Sequence, residues 1–163
     1  WRFAMGEDMT QTVDLLISHS QILIRSRAYE EGLSQWGTGN VSQGALLHPD
    51  YLIFDPLPDD AFGAKVILHV TSQFVLGDGC ARCIVAPFHI SDRSLIEVAS
   101  ATEKFKITLD LPLEDYAVYF EICEADEIFY RFTFVSGSVP GPTYLFDDPW
   151  GGVKGKALAV GSA

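Results

Sequence analysis

Tyr116-Ala-Val-Tyr-Phe-Glu-Ile-Cys-Glu-Ala-Asp-Glu-Ile-Phe-Tyr-Arg-Phe-Thr-Phe134 is the stretch from which the fold is read. Tyr116, Val118, Phe120 and Ile122 occupy every second position, and Ile128, Tyr130, Phe132 and Phe134 repeat the pattern. Strand side chains alternate between faces, so each run offers one apolar face to a core. Between the runs lies Cys123-Glu-Ala-Asp-Glu127, a connection of hairpin length. It predicts two strands paired antiparallel.

Outward from this hairpin the same period of two recurs. Val66, Leu68 and Val70 alternate with Ile67, His69 and Thr71, while Phe105, Ile107, Leu109 and Leu111 alternate with Lys106, Thr108 and Asp110. Weaker strand signals lie at Ser18–Arg25, Tyr51–Phe54 and Arg82–Ile90. Leu57-Pro-Asp-Asp60, Gly77-Asp-Gly79 and Leu111-Pro-Leu-Glu-Asp115 supply turn chemistry between them. Helix signals are few: residues 91–101 have room for one short helix or turn, and 28–48 read as a long loop with a helical turn. The pattern predicts an all-β fold, an antiparallel β-sandwich of about seven or eight short strands with little helix.

The 163 residues fit one domain. We place it at 9–150, with 151–163 as a flexible C-terminal tail after the breaker-rich Gly137-Ser-Val-Pro-Gly-Pro142. Residues 1–8 are read as an appended remnant without function, because Met9-Thr-Gln-Thr12 looks like a natural start. Those first residues lack the basic-then-apolar order of a secretory signal. No run approaches the roughly 18 consecutive apolar residues of a membrane span. An odd count of three cysteines argues against a secreted disulfide framework, and a cytoplasmic location with reduced thiols is expected.

Twenty-two acidic residues face eleven basic ones, for a formal charge of −11. Such a surface repels phosphates, so direct nucleic-acid binding is not expected, whereas a basic protein partner would be attracted. From Asp110 to Glu127 there are seven carboxylates (Asp110, Glu114, Asp115, Glu121, Glu124, Asp126, Glu127) and no Lys or Arg. If the flanking strands pair, Glu124, Asp126 and Glu127 share a hairpin tip, and Glu114 and Asp115 mark the opposite pole. Trp36 and Trp150 fall in irregular segments, where an indole serves as an interface anchor or as a plug at the sandwich end.

Other chemistry is weakly signalled. Cys80-Ala-Arg-Cys83 has CxxC spacing, but an extended strand would turn the two thiols to opposite faces, and no second ligand pair completes a zinc site. No metal or cofactor is therefore expected. His19, His48, His69 and His89 are scattered, and the adjacency in His89-Ile-Ser-Asp92 does not make a triad. Asp59-Asp60 reads as a solvated pair of turn acids. Gly77-Asp-Gly79 does not match a phosphate loop. No catalytic residue is assigned, and the chain is read as a non-enzyme.

The order and spacing of several strings resemble the competence protein J (ComJ) family. They begin with Ile17-Ser-His-Ser-Gln21, continue through Trp36, Gln43-Gly44, Leu52-Ile-Phe-Asp55 and the strand Lys65–Val70, and end near Cys123. The most specific are Val85-Ala-Pro-Phe-His89, Ile96-Glu-Val-Ala-Ser100, Ile107-Thr-Leu-Asp-Leu-Pro112 and Asp115-Tyr116. Members are small cytoplasmic proteins paired with a NucA-type DNase that they inhibit, so the resemblance implies a nuclease-inhibitor, immunity-type role with a DNase as protein partner. Residues 136–163 extend past the family pattern. The resemblance assigns no inhibitory residues, so candidates come from charge and aromaticity: Glu124, Asp126 and Glu127, then Asp147, Asp148 and Trp150, with Trp36. The rival expectation is a carbohydrate- or small-molecule-binding sandwich that uses the same indoles.

Overall fold

A computed structural model describes residues 9–57, 63–137 and 139–163. Residues 1–8, expected to be an appended remnant, and the turn acids Asp59 and Asp60 lie outside the described residues. In chain order the strands are β1 Met9–Leu16, β2 Ile22–Arg25, β3 Ala45–His48, β4 Tyr51–Phe54, β5 Gly63–Thr71, β6 Cys80–His89, β7 Glu97–Ala99, β8 Lys104–Lys106, β9 Asp115–Glu124, β10 Ile128–Ser136 and β11 Thr143–Tyr144. One short helix, α1 (Thr38–Gln43), and 3-10 turns at Glu31–Ser34 and Arg93–Leu95 are the helical elements among the described residues.

Two sheets result: β1-β5-β10-β9-β6-β11 and β3-β4-β2-β7-β8. The expected hairpin is central to the larger one, with Phe132 opposite Phe120 and Tyr130 opposite Ile122. β10 also runs parallel to β5, the one parallel pairing in an otherwise antiparallel ladder of described strands. Inward residues of the large sheet (Val66, Leu68, Phe120, Phe132, Phe134) meet Ile22, Ile24, Phe54 and Val98 of the small one in a single core. Phe54 stacks on Phe120 at 4.3 Å, joining the sheets face to face.

Four strands escaped the sequence reading; one of them, β7, lies in 91–101, where the only helical element is the turn Arg93–Leu95 and Glu97–Ala99 pairs with β2 and β8. Inward positions of β1 include Gln11, and Leu16 points outward, which blurs its alternation. The β3 segment, Ala45–His48, was read as loop because it lacks alternation. Its neighbour β4, and β2 beyond, are buried on both faces. Leu23, Leu46, Tyr51, Ile53 and Ala99 form a second core on the outer side of the small sheet, covered by Leu33 and Trp36. β11 is only two residues long. Conversely, the strand expected to reach Leu111 leaves its ladder after Lys106, although Ile107 and Leu111 stay buried. The Gln11 side chain takes over there, accepting from Thr108 N at 2.7 Å and donating to Lys106 O at 3.0 Å.

Segment 151–163, expected to be loosely held, is instead tied to α1 and β3. Asn40 is fully buried and donates to Gly161 O at 2.9 Å, while its Oδ1 accepts from Ala163 N at 2.8 Å. Gly161 N donates to Leu47 O at 2.7 Å, and Leu158 enters the core. A Cβ at Gly37 would lie 2.0 Å from Ala163 O, so this packing depends on glycine there.

Phe120 is fully buried and touches Phe54, Phe132 and Tyr130. Phe120→Ala should therefore cost about 3–5 kcal/mol in urea unfolding. A loss below about 1 kcal/mol would contradict its place at the sheet–sheet contact.

Candidate functional site

The β9–β10 turn puts Glu124, Asp126 and Glu127 in solvent. Ala125 N donates to Glu127 O at 3.1 Å, closing the tip, and Glu124 N donates to Gly79 O at 2.9 Å. That second bond draws the 77–79 turn alongside, adding the exposed Asp78. In sequence Gly77-Asp-Gly79 reads only as a turn; the pairing of β6 with β9 brings it to the same end of the sheet as the hairpin tip. Among the described residues none of these four carboxylates has an ion-pair partner. Glu121 does not join them. It is fully buried, 3.4 Å from Arg131 Nε, and accepts from Gly77 N at 3.0 Å.

The second cluster divides. Asp147 is exposed and accepts from Lys154 N at 2.9 Å. Asp148, expected to face a partner, has a carboxylate that is 0% exposed and already saturated. Arg82 binds it through Nε at 2.8 Å and Nη2 at 3.1 Å, and the backbone N–H groups of Trp150 and Gly152 donate at 2.9 and 2.8 Å. Burial pushes the Asp148 carboxyl up, but the Arg82 and Gly152 hydrogen bonds outweigh it and hold it below the usual carboxylate range. Arg82 lies over the rings of Tyr144 and Trp150, 5.3 and 5.7 Å from their centroids, and donates to Gln43 O. This arrangement clamps the segment after β10 onto the sandwich, which explains why two neighbouring aspartates have opposite roles.

Both indoles are half-buried. Trp150 sits at the same end of the large sheet as the hairpin tip, since Arg82 pairs with Ile122, two residues before Glu124. Trp36 packs on the outer core of the other sheet and is not brought to that tip.

The opposite pole carries Glu114 and Asp115. His89 Nδ1 is 2.9 Å from Asp115 Oδ1, and Arg93 donates to the carbonyls of Leu111 and Leu113. Asp92 instead accepts from Ser94 N and Oγ, which lowers its pKa, and Ser91 donates to Asp50. The residues of His89-Ile-Ser-Asp92 therefore turn to different partners and form no relay.

The expectation that Cys80 and Cys83 face opposite sides is overturned. A register shift between Cys80 and Arg82 inserts Ala81, so Cys80 opposes Cys123 and Cys83 opposes Glu121. Opposed residues share a face, and a bulge of this kind re-aims side chains. The ligand atoms of Cys80, Glu121 and Cys123 all lie within 4.8 Å of one another. A hydrogen bond with Cys123 favours the Cys80 thiolate, but the hydrogen bond with Cys83, burial and the Glu121 charge push this thiol up overall. The bond to Cys80, burial and Glu121 push Cys123 up as well.

Residues 14–135 match the competence protein J (ComJ) family. The fold is similar to the crystal structure of ComJ, inhibitor of the DNA degrading activity of NucA, from Bacillus subtilis, with a TM-score of 0.65 and 18% identity. That similarity covers 82% of this chain and 100% of that one. No curated protein matches significantly. Asp147, Asp148 and Trp150 lie beyond the residues matched by the family.

Because Asp148 has a depressed pKa in the fold, its stabilisation is present above the unfolded value of about 3.9 and lost as pH falls through the folded value. After correction for intrinsic exchange, the Trp150 and Gly152 amides should exchange faster with hydrogen as pH drops through this window. Asp148→Asn should expose them already at neutral pH. Protection that is equal in both proteins at every pH would contradict the clamp.

Proposed function

This chain belongs to the competence protein J family, and on that premise we propose that it is a non-catalytic inhibitor of a DNA-degrading nuclease. What carries the reading is the cluster Glu124, Asp126 and Glu127, without an ion-pair partner among the described residues and held on the turn of two long, centrally paired strands. A nuclease grips DNA with Lys and Arg arranged for phosphates. Carboxylates projecting from a fixed hairpin can meet those cations, and their long-range field speeds encounter. The chain's charge of −11 acts in the same direction.

Inhibition follows from occupation of the DNA-binding cleft, with Asp78 and Asp147 widening the acidic surface. The accessible part of Trp150 supplies an aromatic contact beside it, and Trp36 would contribute only if the partner also reaches the small sheet. Asp148 has no part in partner contact, since Arg82 consumes its carboxylate. Such an inhibitor protects the DNA of the producing cell while the nuclease is still in the cytoplasm. No helix among the described residues is long and apolar enough to cross a membrane.

A glycan-binding role would need open indole faces. Trp36 is packed on a core and Trp150 lies beneath a guanidinium, which favours the protein-partner reading.

Addition of the chain to its cognate nuclease should stop plasmid degradation at a one-to-one ratio; digestion that persists at excess would remove the proposal. Charge reversal of Glu124, Asp126 and Glu127 to Lys should slow association at least about tenfold at low salt and flatten its salt dependence. Unchanged association kinetics would clear the hairpin tip of that role. Inhibition that vanishes on replacing Mg²⁺ in the assay, with complex formation also lost, would indicate capture of the nuclease's metal instead of occlusion.

A further inference from the structure

The geometry points to a binding site for one soft divalent cation of the zinc type, held by Cys80 Sγ, Cys123 Sγ and Glu121. The site lies on the outer face of the large sheet, next to the acidic tip used above, and uses none of the tip's carboxylates. It exists because of the irregularity at Ala81: without that inserted residue, Cys80 and Cys83 would alternate across the sheet. The bond from Glu124 N to Gly79 O makes Cys80 and Cys123 a non-hydrogen-bonded pair, the kind whose side chains stand closest.

Thiolate sulfur lies about 2.3 Å and carboxylate oxygen about 2.1 Å from tetrahedral zinc, so neighbouring ligand atoms are about 3.7 Å apart. Here the three donors already fall within 4.8 Å of one another, leaving about an ångström to be closed by side-chain rotation.

Glu121 gives an independent reason to look for a cation. Its side chain is fully buried, and Oε2 accepts from Gly77 N at 3.0 Å, but Oε1 accepts no hydrogen bond. Arg131 Nε faces Oε1 at 3.4 Å without forming one, and Arg131 Nη2 also reaches Cys123 Sγ at 3.7 Å. Two thiolates and the carboxylate carry three negative charges. One divalent cation with Arg131 balances them, so the filled site adds no net charge to a buried position.

The 73–79 segment roofs the site. Phe74 stacks on Tyr119 at 3.9 Å, and a Cβ at Gly77 would come within 2.8 Å of Arg131 Nη2. Cys80 is only partly buried and provides the entry side. Binding exchanges two S–H bonds for two metal–sulfur bonds and releases both protons to solvent. No electron is transferred.

The test uses the full chain, reduced and treated with chelator, and Cd²⁺ as the probe. Cadmium should give an ultraviolet thiolate-to-metal band that saturates at one equivalent, with about two protons released per ion, and Zn²⁺ should displace it. Cys80→Ser and Glu121→Gln should each weaken binding at least about tenfold while the circular dichroism stays native. Cys80 is the safer substitution, because Cys123 is fully buried. Absence of the band at stoichiometric cadmium would overturn the site, as would a band of unchanged affinity in Cys80→Ser. A mass loss of two hydrogens on air exposure, with no cadmium band in the reduced protein, would identify the opposed cysteines as a disulfide pair instead.

Discussion

The pairing of β9 with β10 is the constraint on which the rest of the molecule depends. In a strand ladder a slip of one residue exchanges the two faces. Here the register places Phe120 and Phe132 together inside and Glu121 with Arg131 on the other side. The same register fixes what is left over at the turn: Glu124, Asp126 and Glu127, exposed and without an ion-pair partner among the described residues. Core, buried ion pair and acidic tip are thus three consequences of one alignment. Flanking strands reinforce it, with β5 parallel on one side and β6 antiparallel on the other.

The acidic residues divide by environment more than by sequence neighbourhood. Asp147 and Asp148 are adjacent, yet one faces solvent and the other closes a buried bidentate pair with Arg82. Glu121 and Glu124 lie on one strand, yet one is fully buried and the other exposed. A carboxylate enclosed with its cation is committed to holding the fold, because removing either partner strands a charge. A carboxylate left in water costs little to present to a partner and contributes field at long range. The proposed inhibitory surface is built from the second kind.

Much of the fold could be read from apolar alternation, because β5 and β10 have one buried and one wetter face, and in β9 large apolar residues alternate with Ala117, Tyr119 and Glu121 although both faces are largely buried. β2 and β4 were harder to read, since burial on both faces erases the alternation, and β1 was hidden by an inward Gln11. At the candidate site, the carboxylates of the hairpin tip were legible because they depend on local connectivity alone. Long-range pairings were not. Arg82 finds Asp148 across 66 positions, and Asn40 reaches Gly161 across 121. The thiol cluster was misjudged for a different reason: period-two reasoning assumes an uninterrupted strand, and the insertion of Ala81 breaks it.

The central claim is that this chain and DNA compete for one basic cleft, and the most direct measurement is duplex binding by the cognate nuclease in the presence of increasing inhibitor. With a non-cleavable fluorescent duplex, anisotropy should fall to the free-DNA value as one equivalent is added. The released nuclease should then be found in a heterocomplex without DNA. A stable ternary complex of nuclease, duplex and this chain would contradict the account.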